Sequence, residues 1–355
     1  MLNLLIAYGS KGKYFHMKKF SDALIKLGID CKLVKDSDYS GGFPSKNTNE
    51  WFSGNKEFKK LVREFKPDAV FVDRQSHFGI AAIDANIPLF VLLRGHYWSE
   101  LEYAKKTIHK STKMRLVLKL KDRIAQKCFR EATAILPICV YLEDVVKIHY
   151  PKQNTNVFFE GIDASNWYTV SGMKLKHPCV GLLQDPNWWG KTKEMLVLKK
   201  VLKNMPGVNF YWAGDGPYRK KITEELEEFQ NFQWLGRLEY PEKVREFLSE
   251  IDVYALITGM DLAPLTLKEA QLMEKPVIAT DVGGNKEMMA DKKTGFLVKE
   301  GDADDIIKKL SKLLENKQMA SEMGKEGAKF VKQQFNWERI AKKFLEVIKP
   351  YINTK

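Results

Sequence analysis

The chain has no long hydrophobic run. No uninterrupted apolar stretch approaches the roughly 20 residues that cross a bilayer, so no membrane-spanning helix is expected. Cysteine is scarce: Cys31, Cys128, Cys139 and Cys179 are scattered, with no C-x-x-C pair, and the six histidines do not cluster. That spacing argues for a reducing compartment and against a structural zinc site. A G-x-G-x-x-G fingerprint is also missing. The first turn, Tyr8-Gly9-Ser10-Lys11-Gly12, carries only two glycines, which argues against dinucleotide binding. Acid is in deficit, with 45 Asp and Glu against 58 Lys and Arg and a net charge of +13. Such an excess implies an anionic partner: a nucleotide, a phospholipid surface or nucleic acid. No nucleic-acid reading motif accompanies it, so nucleic acid is the least expected of the three. The N-terminus, MLNLLIAYGS, has no basic leader and reads as a first buried strand, so a cytoplasmic location is expected.

What is present is α/β alternation on a scale of two domains. Hydrophobic residues make up 44% and charged residues 29% of the 355, enough for a substantial core. Residues 2–7 read as a strand, a helix follows to about Leu27, and 31–34 form the next strand. Together they make a βαβ unit with a glycine-bearing first turn. The stretch 36–55, rich in Ser, Gly, Asn and Asp, reads as a long loop, of the kind that often serves function. Helix 56–65 and strands at 69–72, 87–93 and 134–139 continue the domain. From 105 to 127 positive charge crowds onto one helix, including Lys113, Arg115, Lys119, Lys121 and Arg123, with apolar residues interleaved at helical spacing. A basic amphipathic helix of this kind suits a peripheral contact with an anionic membrane face. The alternative is a solvated face on a helix packed against its own domain, and the membrane contact is the favoured expectation.

The second half carries the chemistry. Strands are expected at 177–183, 208–213, 232–236 and within 250–256. The stretch 258–287 then reads as loop, helix, buried strand and glycine turn. Asp261 and Glu269 lie eight positions apart across the loop-to-helix junction, Pro276 ends the helix, and Val277-Ile278-Ala279-Thr280 forms the strand. Gly283-Gly284 turns the chain at that strand's carboxyl end, where open α/β sheets place their ligands. Beyond it, 294–298 reads as a hairpin-like element, and Asp302-Ala303-Asp304 reads as a helix cap rather than a metal pair.

This stretch resembles the donor-binding signature of retaining GT-B glycosyltransferases, especially family 4. The residues that carry the likeness are Glu269-Ala270, Pro276 to Thr280, Val282-Gly283-Gly284 and Glu287. The resemblance implies two Rossmann-like α/β domains with parallel sheets facing a cleft. An acceptor domain is expected at 1–170, a nucleotide-sugar domain at 171–335, and a last helix, 336–355, returning to the first. A linker is expected at 165–177. By the same resemblance, Glu269 holds ribose hydroxyls, Asp261 the sugar, and Lys191 the diphosphate. The turns Gly214-x-Gly216 and Gly236-Arg237, with Leu262, Ala263, Pro264 and Leu265, line the donor site. Gly9, Gly12 and Arg94 face sugar and acceptor, and His96, after its strand, positions the sugar. No metal and no cofactor beyond the donor substrate is implied.

The sequence departs from the family's pattern at Asp261, where glutamate is usual, at Pro264 for glycine, and at Leu182 for a phosphate-binding arginine. These departures sustain a second expectation, a non-catalytic GT-B subunit that binds a partner or glycan. Retention of Lys191, Glu269 and the glycine turns favours the enzyme.

Overall fold

The computed structural model describes residues 2–45, 51, 54–107 and 111–352. In the first part of the chain run β1 (Asn3–Tyr8), α1 (Lys11–Lys26), β2 (Asp30–Lys35), α2 (Asp36–Tyr39), α3 (Lys56–Phe65) and β3 (Ala69–Val72). They are followed by α4 (His77–Asp84), β4 (Leu89–Leu93), α5 (Tyr97–Thr107), α6 (Thr112–Glu131), β5 (Ala134–Pro137) and α7 (Val140–His149). The next series is β6 (Cys179–Leu183), α8 (Trp189–Thr192), α9 (Leu198–Asn204), β7 (Asn209–Ala213), α10 (Arg219–Leu226), β8 (Phe232–Gly236) and α11 (Glu242–Glu250). The chain ends with β9 (Val253–Leu256), α12 (Leu265–Leu272), β10 (Val277–Thr280), β11 (Gly295–Val298), α13 (Ala303–Glu315), α14 (Lys317–Gln334) and α15 (Trp337–Ile348).

The chain divides into two compact units, Met1–Gly161 with Trp337–Lys355, and Ile162–Asn336. Residues 165–177, expected as a linker, are tied to the second unit. The amide of Val170 donates to Ser249 Oγ at 3.1 Å, and that of Lys176 to Tyr211 Oη at 2.9 Å. Of the long loop at 36–55, the first turn is helical as α2, and 46–50 and 52–53 lie outside the described residues.

In the first unit the sheet order is β2-β1-β3-β4-β5, all parallel. Strands β3, β4 and β5 are buried at every position, so they read as continuous apolar runs, as strands covered on both faces do. Helix α15 seals this core. The Phe344 ring sits 5.2 Å from Phe20, 5.4 Å from Phe71 and 6.0 Å from Phe158, centroid to centroid. Each such buried aromatic contributes roughly 1.5–3 kcal/mol by removal from water, which is why the last helix belongs to the first unit.

The second unit's sheet runs β11-β10-β9-β6-β7-β8, again all parallel. Residues 294–298 are therefore no hairpin: β11 is a parallel edge strand on β10, paired from Val277↔Gly295 to Thr280↔Val298. The approach is close at its start, where a Cβ on Gly295 would meet Val277 O at 1.9 Å. Asp302 caps α13, accepting from the Asp305 amide at 3.0 Å. Among the described residues no helix is long and apolar enough to cross a membrane.

Candidate functional site

The strand order of the second unit reverses between β6 and β9. Chain order leaves β6 toward β7 and β8 on one side, then restarts with β9 on the other, which opens a crevice beyond the carboxyl ends of those two strands. Two loops meet there. The one after β6 carries Lys191 on the short helix α8, and the one after β9 carries Asp261. The backbones lock first: the Gly259 amide donates to Lys191 O at 2.9 Å, and a Cβ on Gly259 would meet Gly190 O at 2.5 Å. The side chains then pair, with Lys191 Nζ donating to Asp261 Oδ2. The other oxygen, Oδ1, accepts from the Leu262 amide at 2.9 Å. From the β10 side, the Gly284 amide donates to Asp261 O at 2.9 Å. Gly283 holds φ +54, and a Cβ there would lie 2.0 Å from Asp261 O, so only glycine fits this turn.

Leu262, Ala263 and Pro264 lead from Asp261 to the start of α12, whose first turn begins at Leu265 and has no side-chain cap. Glu269 lies one turn further, almost wholly buried. Its Oε1 accepts from Tyr240 Oη at 3.0 Å. Burial raises the Glu269 carboxyl to about 7, against the opposing pull of the Tyr240 hydrogen bond and of the neighbouring Lys268 ammonium. Tyr240, largely exposed itself, sits after β8, and sequence reasoning gave no sign of it.

A third group of turns caps β6, β7 and β8. The Gly214 amide donates to Gly236 O at 2.9 Å, and Gly214 holds φ +145 with Gln184 O only 2.2 Å from the site of a Cβ. Asp185 accepts the Asp215 amide at 3.1 Å through Oδ1 and Arg237 Nη2 at 3.4 Å through Oδ2. Gly216 packs against Pro186 O and Asn187, with 3.0 Å and 2.8 Å to the site of a Cβ. Lys191, Asp261, Leu262, Gly214, Gly216 and Arg237 thus stand on loops or short helices beyond the carboxyl ends of one sheet, with Gly236 at the end of β8 and Glu269 within α12.

Leu182 does not. It is fully buried in β6 among Trp212, Ile257 and Ile278, inside the apolar core, and supplies no cation there.

The first unit's candidates stand at the carboxyl ends of its own strands. Gly9 follows β1, and its amide donates to Asp73 Oδ1 at 2.9 Å. A cavity of about 410 Å³ is lined by Gly9, Lys13, Asp73, Arg74, Arg94 and Glu100, among others. Arg94 pairs with Glu160 through Nη1, while its Nε and Nη2 are buried with no partner among the described residues. Burial lowers the Lys13 ammonium, seconded by Arg94, and burial raises the Asp73 carboxyl. Gly12 sits in the first turn of α1 with open space around it. His96 lies at the start of α5. Its Nδ1 accepts the Ser99 amide at 3.3 Å, a helix-capping bond, and burial lowers its pKa. On α6, Lys113, Arg115, Lys119, Lys121 and Arg123 are all exposed.

Residues 191–330 match the family described as glycosyl transferases group 1. Trehalose synthase of Thermococcus litoralis is 41% identical over 87 residues, 24% of this chain and 21% of that protein. The chain therefore spans about a fifth of that relative's length. Two solved structures align over nearly the full length. Sucrose-phosphate synthase from Thermosynechococcus elongatus has a TM-score of 0.72 at 14% identity, covering 99% of each chain. Anabaena HepE, in complex with UDP and glucose, has a TM-score of 0.68 at 15% identity, covering 99% of this chain and 100% of that one. At such identities these likenesses show the fold, which is GT-B. The signature of 258–287, built around the β6/β9 crevice, lies inside the segment that matches the glycosyl transferases group 1.

Proposed function

We propose that the protein is a retaining glycosyltransferase that moves a sugar from a nucleotide-diphosphate sugar to a hydroxyl of a glycan or lipid-linked acceptor, with no metal at the transfer site. The observation that carries this reading is the Lys191–Asp261 pair spanning the β6/β9 crevice, with Glu269 one helix further on. Glu269 accepts hydrogen bonds from ribose hydroxyls, for which a carboxylate has the capacity. The diphosphate competes with Asp261 for Lys191. As the ammonium moves to the phosphates, Asp261 is released to accept from sugar hydroxyls. Lys191, with the uncapped first-turn amides of α12, then stabilises the charge that builds on the leaving diphosphate. Gly214, Gly216, Gly236 and Arg237 border the nucleotide. In the first unit, His96, Gly9, Gly12 and Arg94 serve the sugar and the acceptor. Retention rests on the signature's resemblance: in such enzymes a leaving-group oxygen takes the acceptor proton, so no dedicated side-chain base is required.

The test is a thermal-shift screen with UDP, GDP, ADP and their sugar conjugates, UDP first because the Anabaena relative holds it. At about 100 times the dissociation constant a bound nucleotide stabilises by about 2.7 kcal/mol. One nucleotide should shift the wild type and leave Glu269→Ala unmoved. The departures at Leu182, Asp261 and Pro264 favour a second reading, a non-catalytic subunit that binds a partner or glycan. It takes over if no nucleotide shifts the wild type and no donor is hydrolysed without acceptor.

Five of the six exposed cations of α6 stand towards Met114 and Leu116, which are also exposed, on a helix whose buried residues are Ala125, Cys128 and Phe129, all in its second half. We read this first half as a peripheral contact with an anionic membrane at the cytoplasmic face, where each cation contributes on the order of 1 kcal/mol. The expected result is co-sedimentation with phosphatidylserine vesicles that salt reverses. Failure to sediment at low ionic strength removes the membrane from the picture.

A further inference from the structure

At the other end of the second sheet, three ligand-bearing side chains converge. His177 precedes β6, Cys179 opens it, and Asp252 directly precedes β9. His177 Nδ1 lies 2.8 Å from Asp252 Oδ2 and 3.7 Å from Cys179 Sγ, and the three ligand atoms all fall within 4.8 Å of one another. We propose that His177, Cys179 and Asp252 bind a divalent transition ion of the zinc class.

The geometry is close to what such an ion needs. With bonds of about 2.3 Å to sulfur and about 2.0 Å to nitrogen and oxygen, tetrahedral angles place N and S about 3.5 Å apart, and N and O about 3.3 Å apart. The sulfur–nitrogen separation is already near this value. The nitrogen–oxygen one must open by roughly half an ångström, and both side chains are partly exposed. A mixed thiolate, imidazole and carboxylate set selects zinc over magnesium or calcium, which take oxygen alone. Water fills the fourth position.

The outer contacts fit as well. His177 Nε2 lies 2.9 Å from Glu250 Oε1, which fixes the ring by its second nitrogen, as carboxylates do behind metal-bound imidazoles. The Cys179 amide donates to Asp252 Oδ2 at 2.7 Å and so holds that carboxylate against the strand. Lys275 faces the same cluster, with Nζ donating to Ser249 O at 2.7 Å. Two carboxylates against one ammonium leave a net negative charge for the cation. On binding, the Sγ–H bond breaks as the Sγ–metal bond forms, and the proton passes to solvent. Any proton on Nδ1 leaves in the same way. The ion ties the segment entering the second unit to β6 and β9. It lies about 13 Å, the rise of β6, from the carboxyl-end crevice, and so acts on stability rather than on transfer.

The experiment uses the full chain, stripped with chelator and titrated with Co²⁺ and then Zn²⁺. We expect one ion per chain, a Co²⁺ adduct with thiolate-to-metal absorption and tetrahedral visible bands, displacement by Zn²⁺, and a higher melting temperature with the ion. His177→Ala, at a partly exposed side chain, should bind at least about 100-fold more weakly, and Cys179→Ala should lose the thiolate band. Glu250→Gln should weaken binding by about 10–100-fold without losing that band. A wild type that binds no ion, an adduct without thiolate absorption, or His177→Ala binding as tightly as the wild type would each overturn the proposal.

Discussion

Glu269→Gln is expected to melt higher than the wild type at pH 8, to melt close to it at pH 5, where both side chains are neutral in the folded chain, and to lose nucleotide binding at pH 8. The carboxyl's ordinary value is 4.5, and burial lifts it to about 7 in the folded chain. Between those values the folded state holds a proton that the unfolded state has released. The group therefore costs nothing below about pH 4.5, and its penalty grows as pH rises and is complete above about pH 7. A separation of two to three pH units corresponds to about 3 kcal/mol. Glutamine keeps the acceptor for Tyr240 Oη and carries no charge to bury, so the variant escapes that penalty. For a unit of this size the gain at pH 8 is roughly 5–10 °C in melting temperature. Binding runs the other way. Ribose hydroxyls lose a charged acceptor, and hydrogen bonds to charged groups contribute about 1.5–3 kcal/mol each, so nucleotide affinity should fall by about 100-fold or more. Calorimetry at the two pH values, with and without nucleotide, reads both effects. Equal melts at pH 8 would mean that Glu269 is not strained by burial. Undiminished nucleotide affinity would mean that its strain serves something else.

What could be read from the sequence follows from what is local. Strands β6, β9 and β10 of the second unit are apolar runs bounded by turns, and their burial at every position matches that pattern. Asp261, Glu269, Pro276 and Gly283 sit in one short stretch whose turn chemistry is visible residue by residue. Contacts made across the sheet are not visible in this way. Tyr240 reaches Glu269 from 29 positions away, and His177 meets Asp252 from 75 away, with nothing in the intervening sequence to announce either pair. The absence of C-x-x-C therefore said little about metal, because parallel strands bring together residues that lie a whole crossover apart. His96 was legible as a histidine after a strand, but not as a cap for the next helix. At Leu182 the sequence shows a missing arginine, but not that the leucine packs into the core of the second unit. The edge strand β11 was misread for a related reason. A short apolar run after a turn does not reveal whether its partner is the preceding segment or a strand elsewhere.

In the proposed reaction, with no arginine at Leu182, the diphosphate would depend on Lys191, and Lys191→Met should lower kcat by about 10²–10³-fold, the cost of removing one preorganised donor from a developing oxyanion. The pairing with Asp261 complicates a single substitution. Taking the ammonium away leaves a half-buried carboxylate without its cation beside an incoming diphosphate, and the two negative charges repel. A loss of activity could then arise from Asp261 alone. Combining Lys191→Met with Asp261→Asn separates the causes. If Lys191 only neutralises Asp261, the double variant recovers most of the rate and most of the donor affinity. If Lys191 acts on the leaving group, the double variant regains donor affinity, because the repulsion has gone, while kcat stays depressed by at least the loss of the single lysine. Steady-state transfer or donor hydrolysis, with KM and kcat resolved, distinguishes the two. The second outcome is expected, since the backbone lock of Gly259 on Lys191 holds this loop at the crevice independently of the ion pair. Full recovery of kcat in the double variant would reduce Lys191 to a structural partner and leave the α12 amides as the main support for the leaving diphosphate.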